Sequence, residues 1–128
     1  MRRLMRYWGP PLALMGLIFF LSAQPDLPGA PSPWLEILLK KGGHAAVYGV
    51  LAWLYWRALD HYLGDRCSPQ AIRIASFLLA LLYGISDEYH QTFVPGRNGN
   101  LVDIGIDSLG AGVAMVLHHW WQQRQAPD

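Results

Sequence analysis

Gly84–Asp107 reads GISDEYHQTFVPGRNGNLVDIGID. It holds Asp87, Glu88, His90, Arg97, Asp103 and Asp107 in a chain that is 52% hydrophobic and 15% charged. Runs of Leu, Ala, Ile and Val flank it on both sides. Ionisable groups set among apolar runs are costly unless paired or solvated. Where this stretch lies therefore decides what kind of protein the chain makes. Pro95-Gly96 suits a type II turn, and Asn98-Gly99 a second turn. The stretch reads as a helix ending near Gln91 or Thr92, a turn, and a helix starting near Leu101.

Outward from it lie four apolar blocks: Tyr7–Ala23, His44–Leu59, Ile72–Ile85 and Leu101–Trp121. A helix that crosses a membrane needs about 20 mostly apolar residues. The first and last blocks approach that alone, and the middle two reach it with their polar outer ends. The expected fold is all-α, with four transmembrane helices in one small bundle spanning residues 1–128. A soluble bundle is disfavoured, because 128 residues cannot supply enough polar surface to cover four apolar helices. Arg2, Arg3 and Arg6 before the first block, with Leu21-Ser22-Ala23 after it, form a cleavable-signal pattern. The apolar run is long for a signal core, and three remaining helices would put the chain ends on opposite sides. The block is therefore expected to stay as the first helix.

Basic residues favour the cytoplasmic side. With the N-terminus inside, Arg2, Arg3, Arg6, Arg57, Arg66, Arg73 and Arg124 lie inside, and only Lys40, Lys41 and Arg97 lie outside. Tyr7, Trp8, Trp53, Tyr55, Trp56, Trp120 and Trp121 then form an inner aromatic belt. Both termini are expected to be cytoplasmic, in the inner (plasma) membrane. Gln24–Pro33, with four prolines and a glycine, reads as an outer loop. Trp34–Lys41 reads as a short amphipathic piece on the outer surface, broken from the second helix by Gly42-Gly43. Ser68-Pro69 is a start signal for the third helix.

The net charge of +1 offers no electrostatic footprint for nucleic acid. The single cysteine, Cys67, excludes an internal disulfide and a cysteine zinc cluster.

This topology brings distant residues into one layer below the outer interface. Lys41, His44 and Tyr48 stand at i, i+3 and i+7, on one face of the second helix. Ala80, Gly84, Glu88 and Gln91 form a face of the third helix that is small below and polar above. Asp103, Asp107, Gly110 and Ala114 repeat that pattern on the fourth. Small residues let membrane helices approach closely, so each polar group should point into the bundle. Glu88, Asp87 and His90 are the candidate catalytic residues. Arg97, Lys41, His44, Tyr48, Gln91, Asp103 and Asp107 are the candidate substrate-binding residues.

Plainer readings stand beside these. Asp103 suits a helix N-terminus, where the dipole favours an anion. Asp107 would be a buried partner of Arg97 or Lys41, and Arg97 a carboxylate clamp. His61, His118 and His119 fall on the inner side and read as interfacial. Ser86 lacks a Gly-x-Ser-x-Gly context. No resident cofactor is expected. The alternatives are a divalent cation held by carboxylates, Mg²⁺ or Ca²⁺, and zinc on His44, His90 and a carboxylate.

Ser86-Asp87-Glu88-Tyr89-His90-Gln91, then Pro95-Gly96-Arg97, then Asp103 and Gly110, resemble the signature of VanZ-like membrane proteins. Lys41, His44 and Tyr48 match the Lys-x-x-His and tyrosine of that family, and Ser22, Gln24 and Pro25 its first-helix end. Asp107 departs from the family, which often has Asn there. The resemblance implies a link to low-level resistance to the glycopeptide teicoplanin. It supplies no catalytic assignment. The expected function is to bind or process a lipid-linked anion of the cell envelope at the outer face, with a membrane lipid such as a polyprenyl phosphate as partner. The alternatives are a non-enzymatic drug- or lipid-binding or transport protein, and a purely structural polar network.

Overall fold

The computed structural model describes residues 1–24, 32–97 and 99–127. They form four helices: α1 (Arg2–Ser22), α2 (Pro33–Leu63), α3 (Pro69–Gln91) and α4 (Leu101–Gln125). No strand occurs among the described residues. Local chemistry sets the boundaries. Ser68 Oγ accepts from the Ala71 N–H at 3.1 Å and starts α3, with Pro69 supplying a helical φ at its first position. Asn100 Oδ1 accepts from the Val102 N–H at 2.8 Å and starts α4. Between them Gly96 adopts φ +79°, the left-handed conformation that the type II turn at Pro95-Gly96 requires. The expected turn at Asn98-Gly99 and most of the loop from Gln24 to Pro33 fall outside the described residues.

α1, α3 and α4 are each long and apolar enough to cross a membrane. α2, the longest helix, is not among them. It is the central helix, packed against all three others, while α1 and α4 do not meet. Its inward face is built from Tyr48, Gly49, Leu51, Ala52, Tyr55 and Ala58, all buried.

The second helix begins earlier than its sequence suggests. Trp34–Lys41 is not a separate surface piece, and Gly42-Gly43 does not break it, because α2 runs unbroken through both. Two helical glycines cost about 1 kcal/mol each. Tertiary contact outweighs this, since Lys41 is held by Asp103 and Ala45 lies against Gly110. At 31 residues α2 is about 46 Å long, against roughly 30 Å of hydrocarbon. Its first turns, with Trp34, Ile37, Leu38 and Leu39 exposed, therefore extend past the core or lean across it.

α2 and α4 cross at backbone contact. A Cβ placed on Gly110 would stand 2.0 Å from the Ala45 carbonyl oxygen, and one on Gly49 would stand 3.1 Å from that of Gly110. This is the small-residue seam expected below the polar residues of α4.

α1 holds Pro10 and Pro11 inside its helix. Pro10 has no N–H to offer the Arg6 carbonyl. Arg57 Nη2 takes that place and donates to Arg6 O at 3.3 Å. Nearby, Tyr7 stacks on His61 with ring centroids 3.7 Å apart. This end of the bundle is aromatic and basic. The opposite end, where α1 and α3 finish and α2 and α4 begin, carries the carboxylates.

Candidate functional site

Three rungs join α2 to its neighbours. Lys41 Nζ donates to Asp103 Oδ1. His44 Nδ1 lies 3.2 Å from Asp107 Oδ1. Tyr48 OH donates to Asp87 Oδ2 at 3.2 Å. Lys41, His44 and Tyr48 share one helix face, and Asp103 and Asp107 are one turn apart, so consecutive turns of α2 meet consecutive turns of α4. Tyr48 lies deeper and reaches α3. Asp107 is thus partnered by His44, not by Arg97 or Lys41. Asp103 sits in the first turn of α4, where the dipole favours it, and has a cation as well.

Glu88 holds a different kind of contact. Its Oε2 accepts from the Asn100 backbone N–H at 3.1 Å, so a side chain of α3 ties down the start of α4. The loop approaches closely to allow this. A Cβ on Gly99 would stand 2.6 Å from both the Glu88 carbonyl oxygen and Thr92 Cγ2. Ala80, Gly84, Glu88 and Gln91 are all buried, as expected for the inward face of α3. Gly84 leaves room for Tyr48 and Asp107, which lie 3.3 and 3.5 Å from where its Cβ would be.

His90 and Arg97 turn toward α1 instead. The His90 ring stacks on Phe19 at 4.4 Å. Two residues on from Glu88, it points across the helix from the cluster, so the expected grouping of His44, His90 and a carboxylate is not formed. Arg97 does not clamp a carboxylate. Its Nε donates to Gln24 O at 2.9 Å and its Nη2 to Leu21 O at 3.3 Å, which satisfies backbone carbonyls at and just past the end of α1. Gln91 Nε2 donates to Ser22 Oγ at 3.3 Å, a second tie to that end.

Lys41, His44, Tyr48, Asp87, Glu88, Asp103 and Asp107 are therefore brought together from three helices. Two cavities adjoin them. One, of about 450 Å³, is polar and is lined by Lys41, His44, Gln91, Arg97 and Asp103 among others. The other, of about 260 Å³, is lined by apolar Ile18, Leu21 and Val47 of α1 and α2, then by His44, Tyr48 and Arg97. Lys40, His44 and Arg97 border both.

Some partners were not visible in the sequence. Ser22 and Asn100 are ordinary residue types whose roles depend on the loop path. His118 is different. It is buried rather than interfacial, lies 3.8 Å from the Trp56 ring, and has neither ring nitrogen hydrogen-bonded among the described residues. Its spacing from Asp107, Ala111 and Met115 places it on the inward face of α4, a signal that could have found it.

No curated protein and no solved structure matches the chain. The model of the VanZ/LLP1 family matches residues 8–122. That range takes in all three polar rungs, Glu88 with its loop, and most of each of the four helices, and the chain belongs to the VanZ/LLP1 family.

Proposed function

We propose that this membrane protein binds a lipid-linked anion of the cell envelope, with polyprenyl phosphate as the preferred class. The observation that carries this reading is the pair of adjoining cavities. An apolar groove between α1 and α2 suits a hydrocarbon tail, and a polar cavity bordered by Lys41, His44 and Arg97 suits an anionic head group. Arg97 spends its donors on α1 carbonyls, so it shapes the site and supplies positive potential there. The excess of basic residues at the opposite end supports an orientation with both termini cytoplasmic and the site at the outer face of the plasma membrane. Capture of an envelope lipid there would connect the site to the teicoplanin resistance implied by the family resemblance. In this reading any chemical step would use Glu88, with Asp87 beside it, as its acid or base, although neither residue lines either cavity.

The test is native mass spectrometry of the purified protein with polyprenyl phosphate and with the uncharged polyprenol. Retention that depends on the phosphate and falls in His44→Gln supports the reading. Equal retention of the two lipids by a folded protein overturns it.

A second reading has its own observation. Lys41 with Asp103, His44 with Asp107 and Tyr48 with Asp87 pair one to one across three helices, as a structural network would. In that case His44→Gln lowers the unfolding midpoint, and neither lipid is retained by the wild-type protein.

A further inference from the structure

Asp87, Glu88 and Asp107 are each 3% exposed or less. Each keeps one carboxylate oxygen with no hydrogen-bond partner among the described residues: Asp87 Oδ1, Glu88 Oε1 and Asp107 Oδ2. Buried acceptors left unmatched are expensive and call for an explanation. Their charge is unmatched as well. Lys41 is paired with Asp103, and His44 with Asp107. In the ion pairs of the described residues Asp87 and Glu88 meet no cation. Asp87 has the Tyr48 hydroxyl, and Glu88 the Asn100 N–H.

One ligand atom each from His44, Glu88 and Asp107 lie within 4.8 Å of one another. We infer that these three residues, drawn from α2, α3 and α4, form a binding site for a single divalent cation of the manganese or zinc class. The donor set favours that class. Mg²⁺ and Ca²⁺ prefer oxygen alone, while an imidazole with two carboxylates suits a transition ion. No thiolate takes part, since Cys67 is exposed in the loop between α2 and α3, at the other end of the bundle. Three ligand atoms on one ion at about 2.1 Å lie roughly 3 to 3.6 Å apart, so the three would have to close by up to about 1.4 Å, within reach of side-chain rotation. Gly84 leaves the space beside Asp107 Oδ2 open. The Asp107 contact leaves the imidazole with one nitrogen to spare, or converts Nδ1 from donor to ligand when its proton leaves.

Asp87 and Tyr48 complete the surroundings. The Tyr48 hydroxyl donates to Asp87, the neighbour of Glu88, which adds negative charge beside the site without ligating the ion. Three protein ligands leave coordination positions open. His44 borders the polar cavity, so those positions face the place where the head group would lie. That last extension rests on the lipid-anion reading, whereas the cation site itself does not.

The test uses the full chain in detergent, stripped of metal and without added lipid, titrated with Mn²⁺ alone. The expected result is one Mn²⁺ per chain, displaced by Zn²⁺. Its electron paramagnetic resonance should show coupling to an imidazole nitrogen. Glu88→Gln and Asp107→Asn should each weaken binding by about tenfold or more, and Asp65→Asn, at the opposite end, should leave it unchanged. The nitrogen coupling is read on the wild-type protein, so an unstable variant does not block the test. A folded wild-type chain that takes up no stoichiometric Mn²⁺ or Zn²⁺ overturns the inference, with protons as the remaining occupant. Binding without nitrogen coupling, or binding indifferent to both carboxylate variants, also overturns it. Because lipid is absent throughout, the result stands apart from success or failure of lipid retention.

Discussion

Gly110→Ala is the sharpest test of the bundle. The new Cβ would stand 2.0 Å from the Ala45 carbonyl oxygen, 2.6 Å from its carbon and 2.7 Å from its Cα. All three atoms are backbone, so no rotamer change can relieve the clash. Ordinary contact begins near 3.4 Å, and the helices must therefore part by about 1.4 Å. That movement would stretch the His44–Asp107 contact from 3.2 Å to well beyond hydrogen-bond range. Overpacking costs about 1–3 kcal/mol, and leaving a buried carboxylate unpaired costs about 1–3 kcal/mol more. The expected loss is about 2–6 kcal/mol, read by equilibrium unfolding in mixed micelles. Gly105→Ala is the control. Nothing lies within 4 Å of its Cβ position, so it should be neutral or gain up to about 1 kcal/mol from helix propensity. A Gly110→Ala protein within about 1 kcal/mol of wild type would refute the close-crossing argument.

Three further outcomes can be checked on the same material. His118→Leu should leave the unfolding free energy unchanged or raise it by about 1 kcal/mol, because both buried ring nitrogens lack partners among the described residues; a loss of more than about 1 kcal/mol would reveal a partner. Asn100→Ala removes the cap on Val102 and should cost about 1 kcal/mol, with faster amide exchange confined to the first turn of α4. A double-mutant cycle on Lys41→Met and Asp103→Asn should return a coupling of about 1 kcal/mol or less, since both side chains are partly solvated; a coupling of several kcal/mol would contradict that exposure.

Much of this arrangement could be read before any coordinates. The four helices follow from apolar block length. The polar cluster follows from helix spacing, because Lys41, His44 and Tyr48 share a face and antiparallel order brings both ends of the Gly84–Asp107 stretch to it. What could not be read depended on contacts distant in sequence. Gly42-Gly43 is a local break signal, and only packing on α4 keeps α2 continuous there. Arg97 has a charge that invites a carboxylate, but the loop path brings it to the carbonyls of Leu21 and Gln24. The Glu88–Asn100 tie joins a side chain to a backbone N–H, and residue identity does not encode such a contact. His90 and His118 are a different case: the sequence reading puts His90 in the catalytic set and His118 at the interface, yet helical angle alone points one away from the cluster and the other inward.

The three rungs also constrain the order in which the bundle can be assembled. α3 entering the membrane after α2 brings Asp87 to Tyr48, but Glu88 still lacks its N–H partner and Asp107 has yet to reach His44. Those contacts exist only when α4 follows, and residues 92–100 are a short enough link for α3 and α4 to enter as a hairpin. A chain stopped between them would leave Glu88 without the Asn100 N–H that it accepts from in the folded bundle. α3 and α4 are therefore expected to enter together, closing on α2.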